Sequence, residues 1–321
     1  MNEKISSDLG LDLVRVTEAA ALAAGRWMGL GKTDAAHHAA VDAMVNAFST
    51  MSIDGIIVAG EERKMGFGSS LDSGTHVGAG NGPVMDVVVD PIDGLQLLAS
   101  GAADALAVAG LAPQGAMWNP HPAVYMEKIV VDKEAADVLV PECMDAPAAW
   151  TLALIAKAKG KPVRDLVVFV LNRPRHKDLI DEIRTAGARV LLRPEGDVAG
   201  AMMVALDTVH VDVLMGIGGV SEGIIAACGI KALGGAMLGR LSPQSEEEKQ
   251  GVTEAGLNCA NILTCDELVS GDDIFFAATG ITDGIILSGT RYLGERAQTE
   301  SLVLRCKTGT KRVIQSEHLL R

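Results

Sequence analysis

Two stretches near the start of the chain carry apolar residues at helical spacing. From residue 8 to residue 28, apolar side chains recur every three or four positions and a glycine-rich segment follows, which predicts an amphipathic helix. A second helix is predicted to begin at Thr33 or Asp34, since either side chain can cap it. Its apolar face includes His37, so this imidazole is expected to point inward near the first turn.

Two short β-branched runs follow, and acidic residues come after each of them. The first run is followed by Glu61, and the second, VVV, is followed by Asp90. Because Pro91 cannot donate a hydrogen bond to a neighbouring strand, we expect the chain to leave the sheet at Asp90. A polar, glycine-rich loop over residues 64–82 connects the two runs. The strands predicted in this half span residues 55–59, 87–89 and 103–111.

The second half alternates helical and strand patterns after a change in composition between residues 136 and 150. This alternation predicts a parallel or mixed sheet covered by helices, and therefore an α/β protein. We divide the chain into an N-terminal domain, residues 1–140, and a C-terminal α/β domain, residues 141–321. An exposed loop is predicted over residues 242–249, where charged residues cluster. The predicted helices span residues 148–159, 177–186 and 198–205, and the predicted strands span residues 166–171, 188–192 and 209–215.

Composition narrows the range of functions. With 321 residues, 48% of them hydrophobic, the chain can form one large or two medium domains. It contains no uncharged apolar stretch of about 18 residues and no hydrophobic signal region, so we expect a cytoplasmic protein with no membrane partner. The five scattered cysteines indicate reduced thiols. A net charge of −13 and an aromatic content of 3% argue against a nucleic-acid partner.

The turn after the valine run is the strongest candidate for chemistry. Asp90 and Asp93 lie three positions apart around Pro91, and the backbone carbonyl of Ile92 lies between them. Carboxylate and carbonyl oxygens are the ligands that Mg²⁺ and Mn²⁺ take in proteins. The alternative interpretation is a capping turn with solvated acids, because such turns are common.

Glu61, this turn and five further segments resemble, in order and spacing, the class II fructose-1,6-bisphosphatases. The further segments are PAVYMEK around Tyr125, NRPRH (172–176), PEGDVAG (194–200), GIGGVSEG (216–223) and AATGIT (277–282). The resemblance runs from about residue 10 to about residue 318. It implies membership of the lithium-sensitive, metal-dependent sugar and inositol phosphatases, with a layered αβαβα sandwich and a site between two halves. It further implies hydrolysis of the 1-phosphate of fructose 1,6-bisphosphate, or of a related sugar bisphosphate, by metal-activated water. Relatives of this kind commonly form dimers or tetramers, so a homo-oligomer is expected.

The resemblance also assigns roles to residues of this chain. The catalytic acids are Asp90, Asp93 and Glu61. The implied ligands for Mn²⁺ or Mg²⁺ are Glu61, Asp90, Asp93, Glu222 and His37. The implied contacts to the sugar phosphate are Asp93, Gly94, Tyr125, Arg173, Pro174, Arg175, Glu195, Gly196, Asp197, Gly219 and Glu222. The chemistry of these residues agrees with the assignment, since arginines donate forked hydrogen bonds to phosphate and backbone N–H groups at a helix start bind anions. By themselves, the arginines also fit a solvated surface, and Tyr125 also fits a packing role.

Four departures from the family pattern fall near the predicted catalytic acids. His37 stands where the family has an aspartate; an imidazole suits Mn²⁺ or Zn²⁺ better than Mg²⁺, and the alternative is a buried core histidine. Leu95 replaces a threonine whose hydroxyl helps to activate water. Asp93 is one methylene shorter than the usual glutamate, and Arg63 and Lys64 lie where the family has acids.

These departures keep other functions open. One alternative is a catalytically impaired paralogue that binds a sugar phosphate as a sensor or as a regulatory subunit. Another is a different reaction on a phosphorylated small molecule, because folds accept altered sites. We also hypothesise that the guanidinium of Arg63 stands in for a metal ion, pairing with an acid or holding a phosphate directly.

Overall fold

The computed structural model describes residues 8–61, 68–206 and 209–320. The helices are α1 (Leu9–Gly25), α2 (Thr33–Phe48), α3 (Leu95–Ser100), α4 (Ala148–Ala158), α5 (Lys177–Thr185), α6 (Asp197–Ala205), α7 (Val220–Ala232), α8 (Glu246–Glu254) and α9 (Cys265–Leu268). The first strands are β1 (Asp54–Ala59), β2 (His76–Val77), β3 (Val84–Asp93), β4 (Leu106–Pro113), β5 (Tyr125–Val131), β6 (Val167–Leu171) and β7 (Arg189–Arg193). The remaining strands are β8 (Val213–Gly219), β9 (Ala236–Leu241), β10 (Leu263–Thr264), β11 (Phe275–Gly280), β12 (Arg291–Leu293), β13 (Arg296–Arg305) and β14 (Thr310–Leu319).

The strands form two mixed sheets. Sheet 1 has the order β12-β13-β11-β4-β3-β1-β2, with β14 also paired to β13, and sheet 2 has the order β10-β9-β5-β8-β6-β7. The parallel pairs are β1 with β3 in sheet 1, and β6 with both β7 and β8 in sheet 2. The mixed sheet predicted for the second half of the chain is therefore present.

Three hydrophobic clusters pack the helices and sheets into five layers. One cluster packs α1 and α2 against the outer face of sheet 1. The largest cluster lies between the two sheets and contains α6 and α7. The third packs α4 and α5 against the outer face of sheet 2. Because every sheet face near the centre is covered by helices, the layers run α, β, α, β, α, and the predicted layered sandwich is confirmed.

The valine run in β3 shows why this sequence is a strand. Val87, Val88 and Val89 are all completely buried. Val87 and Val89 contribute to the cluster under α1 and α2, whereas Val88 contributes to the cluster between the sheets. Successive side chains of a strand point to opposite faces, so a strand covered on both faces needs apolar residues at every position. The continuous run is thus the pattern of a central strand.

The predicted exit from the sheet at Asp90 is wrong. β3 continues to Asp93, and the ladder to β4 shifts register between Asp90, which lies opposite Val108, and Asp93, which lies opposite Leu106. The extra residue on β3 makes this a β-bulge, a place where Pro91 is tolerated although it cannot donate to the ladder. The bulge brings both carboxylates to one end of the strand without ending it.

The predicted exposed loop over residues 242–249 is also wrong, because α8 begins within it. The hydroxyl of Ser245 caps the helix by accepting a hydrogen bond from the Glu248 backbone at 3.1 Å. Although it lies in an acidic run, Glu248 is buried. The Ser-x-x-Glu spacing is a capping signal, and it outweighs the polar composition.

Several strands have no counterpart in the sequence prediction, and two begin several residues later than predicted. The unpredicted strands include β5 and β9, in the middle of sheet 2, and β11, β13 and β14, which return the chain to sheet 1. β4 and β8 begin at Leu106 and Val213, a few residues after the predicted starts. The division near residue 140 stays a prediction. None of the described helices is long and apolar enough to cross a membrane.

Candidate functional site

A cavity of about 600 Å³ lies where strand ends of the two sheets meet. Nearly all the residues predicted for the site line this cavity: His37, Glu61, Asp90, Asp93, Gly94, Tyr125, Arg173, Arg175, Glu195, Gly196, Asp197, Gly219 and Glu222. Pro174 is not among the lining residues of the described chain; it lies between the two arginines and begins a short 3-10 turn, Pro174–His176, that leads into α5. Arg63 and Lys64 lie outside the described residues. The fold thus brings together side chains from distant segments.

The acidic part of the cavity is buried. His37, Glu61, Asp90 and Asp93 are each at most 6% exposed. The Nδ1 atom of His37 lies 3.4 Å from Oε2 of Glu61, so the imidazole contacts a predicted metal ligand. Asp90 accepts a hydrogen bond from the Ile92 backbone at 3.0 Å, which fixes the bulge around Pro91.

Asp93 carries the clearest electrostatic signature in the site. Burial raises the pKa of its carboxyl group well above the ordinary value, and the negative charges of Asp90, Glu222 and Asp197 raise it further. A hydrogen bond from the Ala199 backbone opposes this rise in pKa. Several carboxylates therefore repel one another in a buried space, which is the setting that a bound cation relieves.

Asp93 and Glu195 each cap the helix that follows the other acid. Asp93 precedes α3, yet its two oxygens accept hydrogen bonds from the first turn of α6, at Asp197 N (3.1 Å) and Ala199 N (2.9 Å). Glu195 precedes α6, and its Oε2 accepts a hydrogen bond from Gln96 N in the first turn of α3 at 2.8 Å. Each acid satisfies backbone donors that the other helix leaves open. The two helix starts are therefore fixed relative to each other.

A glycine follows each of these acids and turns the chain into its helix. Gly94 has φ 96° and Gly196 has φ 91°, both in the left-handed region. An L-residue with a Cβ is strained in this conformation. The dipeptides Asp-Gly and Glu-Gly thus produce the same local geometry at two neighbouring helix starts, and this likeness was not recognised from the sequence.

The cationic part of the cavity is formed by the segment after β6. The guanidinium of Arg175 stacks over the Tyr125 ring at 5.1 Å from its centroid, and it donates to the Ile217 carbonyl at 2.9 Å. Arg173 donates to Oε1 of Glu195 at 3.2 Å. Both arginines line the cavity, where Arg173 is half-buried and Arg175 is exposed. A phosphate bound here would meet two guanidinium groups with several donors.

His176 holds the strand ends beneath these arginines. Its Nε2 accepts a hydrogen bond from the Ile217 backbone at 2.7 Å, so its Nδ1 carries the proton and donates to the Leu171 carbonyl at 2.6 Å. Burial lowers the pKa of this imidazole. His176 belongs to the NRPRH motif, but its bridging role was not predicted from the sequence.

Two further residues near the cavity were missed by the sequence analysis. Lys128 pairs with Asp197 and donates to the Gly219 carbonyl at 3.0 Å. Glu248 accepts hydrogen bonds from the backbone of Val124 (2.8 Å) and Tyr125 (2.9 Å). Period-two alternation through PAVYMEK would have placed Lys128 on a buried strand face, and the Ser-x-x-Glu spacing would have flagged Glu248.

The donor set fits a divalent cation in its chemistry. Oxygen ligands predominate, and Glu61, Asp90 and Asp93 are buried. Burial, together with the negative charge of neighbouring carboxylates, raises the pKa of Asp93. Across residues 8–61, 68–206 and 209–320, however, no three His, Cys, Asp or Glu side chains are grouped closely enough to hold a metal ion as they stand. The carboxylates thus share one cavity without forming a finished coordination shell.

Comparison with known proteins shows the family of this chain. The sequence model of the family described as bacterial fructose-1,6-bisphosphatase, glpX-encoded, matches residues 7–318. The chain is 38% identical over 326 residues to fructose-1,6-bisphosphatase 1 class 2 of Escherichia coli strain K12, which covers 98% of this chain and 96% of that relative. The same identity and coverage hold for the fructose-1,6-bisphosphatase class 2 proteins of Escherichia coli O6:H1 strain CFT073 and of Shigella flexneri. The resemblance seen in the sequence is confirmed, and the chain belongs to the bacterial fructose-1,6-bisphosphatase family of class 2.

Proposed function

We propose that this protein is a metal-dependent phosphatase that removes the 1-phosphate from fructose 1,6-bisphosphate or a related sugar bisphosphate. The observation that carries this proposal is the cavity itself, in which buried carboxylates and two arginines lie on the walls of one space of about 600 Å³. This volume falls within the range of small-molecule sites. The family match supports the same reaction class.

The acids take the role of metal ligands in this proposal. Glu61, Asp90, Asp93 and Glu222 would hold Mg²⁺ or Mn²⁺, with His37 as a further ligand that favours Mn²⁺. When bound, such an ion neutralises phosphate charge and lowers the pKa of water. The bulge in β3 and the cap that Asp93 provides to α6 keep the carboxylates at the cavity wall.

The remaining lining residues take the role of substrate contacts. Arg173 and Arg175 would hold a phosphate, and Glu195 and the Tyr125 ring orient their guanidinium groups. Asp197 and the backbone around Gly219 would contact the sugar. A sugar bisphosphate needs both a cationic end and hydroxyl acceptors, and the cavity provides them.

One observation favours a second candidate, an impaired relative that binds a sugar phosphate without efficient hydrolysis. Leu95 lines the cavity at the first position of α3, where the family's threonine supplies a hydroxyl. The neighbouring Gln96 N–H already donates to Glu195, so the backbone there is engaged. Losing an oriented proton relay commonly costs about 10² to 10⁴ in rate.

A phosphate-release assay separates the two candidates. Fructose 1,6-bisphosphate, sedoheptulose 1,7-bisphosphate and inositol phosphates would be supplied with Mg²⁺ or Mn²⁺, with Asp90→Asn as the control that removes a predicted ligand. Release that is lost in Asp90→Asn supports the phosphatase. Binding by calorimetry without release selects the impaired relative, and neither binding nor release would rule out both.

A further inference from the structure

Lys128 is a buried charged residue that the proposed reaction does not use. It lies in β5, on the strand face that it shares with Met126 and Val130, and it is 2% exposed. Both neighbours belong to the hydrophobic cluster between the sheets. An ammonium group in such a place needs specific partners, because removal from water is costly for an unpaired charge.

The partners of Lys128 are both parts of the cavity wall. Its Nζ forms a salt bridge with Oδ2 of Asp197, at the start of α6, and donates to the Gly219 carbonyl at 3.0 Å. Gly219 lies at the junction of β8 and α7. Asp197 and Gly219 line the cavity, whereas Lys128 is not among its lining residues in the described chain. Lys128 therefore contacts the wall from behind.

Tight packing restricts the Asp197 carboxylate on this side. A Cβ built on Gly218 would lie 1.8 Å from Oδ2 of Asp197 and 2.9 Å from Nζ of Lys128. The ion pair thus occupies the space that a side chain at residue 218 would need. The GIGG segment gives Asp197 and Lys128 room to meet, and the pair in turn joins β5, α6 and the start of α7.

We propose that Lys128 is a positioning residue for the sugar end of the substrate, an inference that rests on the proposed function. It fixes the Asp197 carboxylate and the Gly219 carbonyl as hydrogen-bond acceptors for sugar hydroxyl groups. Because Lys128 is paired with Asp197, its positive charge offsets the charge of this carboxylate. It recognises a neutral, hydroxyl-bearing part of the ligand, while the phosphate is held by the arginines.

The test is a double-mutant cycle on fructose 1,6-bisphosphate binding, measured by calorimetry. Lys128→Met and Asp197→Asn should each weaken binding by about tenfold, and the double variant should bind no more weakly than Asp197→Asn alone, because both act through one carboxylate. In turnover, the loss should appear in KM more than in kcat. Lys159→Met is the matched control, since Lys159 is also buried and paired, but with Asp132.

Additive losses in the cycle, or a loss in Lys128→Met no larger than in Lys159→Met, would overturn the inference. If Lys128→Met does not fold, the charge-neutral double variant is compared with Asp197→Asn, and weaker binding by the double variant overturns the inference. If the wild-type protein does not bind fructose 1,6-bisphosphate, the proposed function fails separately. In that case a crystal structure of Lys128→Met, or of the double variant, tests the inference. The inference is contradicted if the side chain of residue 197 and the Gly219 carbonyl keep their positions. It is supported if they are displaced.

Discussion

Leu95 is the single residue that most affects the expected activity. It follows the DPIDG turn, it lines the cavity, and it has no group that can hydrogen-bond water. Its neighbours on both sides keep their roles in the fold, since Asp93 caps α6 and Gln96 donates to Glu195. Leucine at this position leaves this part of the cavity wall without a side-chain hydroxyl.

Introducing a hydroxyl group at residue 95 should raise the rate of phosphate release. We expect Leu95→Thr to increase kcat by about 10² if the hydroxyl limits the reaction. Leu95→Val is the matched control, because valine has the shape of threonine without its oxygen. Initial rates with fructose 1,6-bisphosphate and Mn²⁺ provide the measurement. Equal rates for the two variants would contradict the prediction and would direct attention to His37 and to the residues after Glu61.

The contribution of His176 to the stability of the fold should depend on pH. The neutral imidazole accepts from Ile217 and donates to Leu171, and burial lowers its pKa below the ordinary 6.5. In the unfolded chain it takes up a proton more readily. Its stabilising contribution is therefore complete above about pH 6.5 and is lost as the pH falls from there through the folded-state pKa.

The stability difference between wild type and His176→Gln should thus shrink in acid. Glutamine does not titrate. Its amide cannot accept the hydrogen bond from the Ile217 N–H and donate to the Leu171 carbonyl with the geometry of the imidazole. We expect the difference in unfolding free energy to decrease by up to about 1.4 kcal/mol per pH unit below pH 6.5. Urea unfolding between pH 8 and pH 5.5 measures it. A difference that is independent of pH would contradict the assigned tautomer and burial.

At the scale of elements, the starts of α3 and α6 form one structural unit. Asp93 caps α6 and Glu195 caps α3, and a glycine in the left-handed backbone conformation follows each acid. The arrangement connects sheet 1 to the layer between the sheets. Any change that moves one helix start should also move the acid that caps the other.

Substitution of the glycine before α3 tests this unit. Gly94→Ala should destabilise the fold by about 1–3 kcal/mol, since the left-handed backbone disfavours alanine and the new Cβ would lie 2.9 Å from Cδ1 of Leu97. Gly74→Ala is the control, because Gly74 also has a positive φ but has no atom within 4 Å of a Cβ. A loss in Gly94→Ala no greater than in Gly74→Ala, in urea unfolding, would contradict the packing argument.

Helix α8 supports the Tyr125 wall through one buried carboxylate. Glu248 accepts from the backbone of Val124 and Tyr125, and its other oxygen accepts from Gln244 at 2.8 Å. Glu248→Gln replaces one acceptor by a donor, so we expect a loss of about 1–3 kcal/mol and faster amide exchange at Val124 and Tyr125. Glu246→Gln, at an exposed position of the same helix, should change neither. Unchanged exchange in Glu248→Gln would show that the carboxylate is not the anchor.

At the scale of the whole molecule, the cavity depends on the arrangement of both sheets. β3 brings Asp90 and Asp93 from sheet 1, whereas sheet 2 contributes Tyr125 and Gly219. The hydrophobic cluster between the sheets is continuous, with α6 and α7 inside it. Ligands that join the two sides should therefore stabilise the entire fold. A dimeric or tetrameric assembly and a cytoplasmic location remain predictions from the sequence.

Divalent metal should raise the melting temperature. At a concentration of about 100 times Kd, binding to the folded state alone adds about 2.7 kcal/mol. Asp90→Asn should lose this stabilisation. Asp86→Asn is the matched control, since Asp86 is also buried in β3 but its carboxylate accepts from the Met117 backbone at 2.9 Å. Thermal scans with Mn²⁺, Mg²⁺ or a chelator measure the effect, and equal shifts in both variants would contradict the assigned ligands.

Local patterns in the sequence predicted much of the scaffold. The helical spacing predicted α1 and α2, the valine run predicted β3, and the βα alternation predicted the elements from α4 to β8. These patterns are visible because each depends on which side of an element is buried. The strands of sheet 1 after residue 270 were missed: β11 pairs with the distant β4, whereas β12, β13 and β14 pair as neighbours along the chain and were not predicted either.

The sequence by itself determined the family, the layered α/β class and many of the residues that line the cavity. Only the tertiary structure decided how those residues are used: Asp93 caps a helix 104 residues away, and Lys128 pairs with Asp197 over a separation of 69 residues. Residue type and spacing determine which chemistry a side chain can perform. Its partner is determined by packing between segments that are distant in the chain, because hydrogen bonds and ion pairs form wherever the folded backbone brings donor and acceptor together.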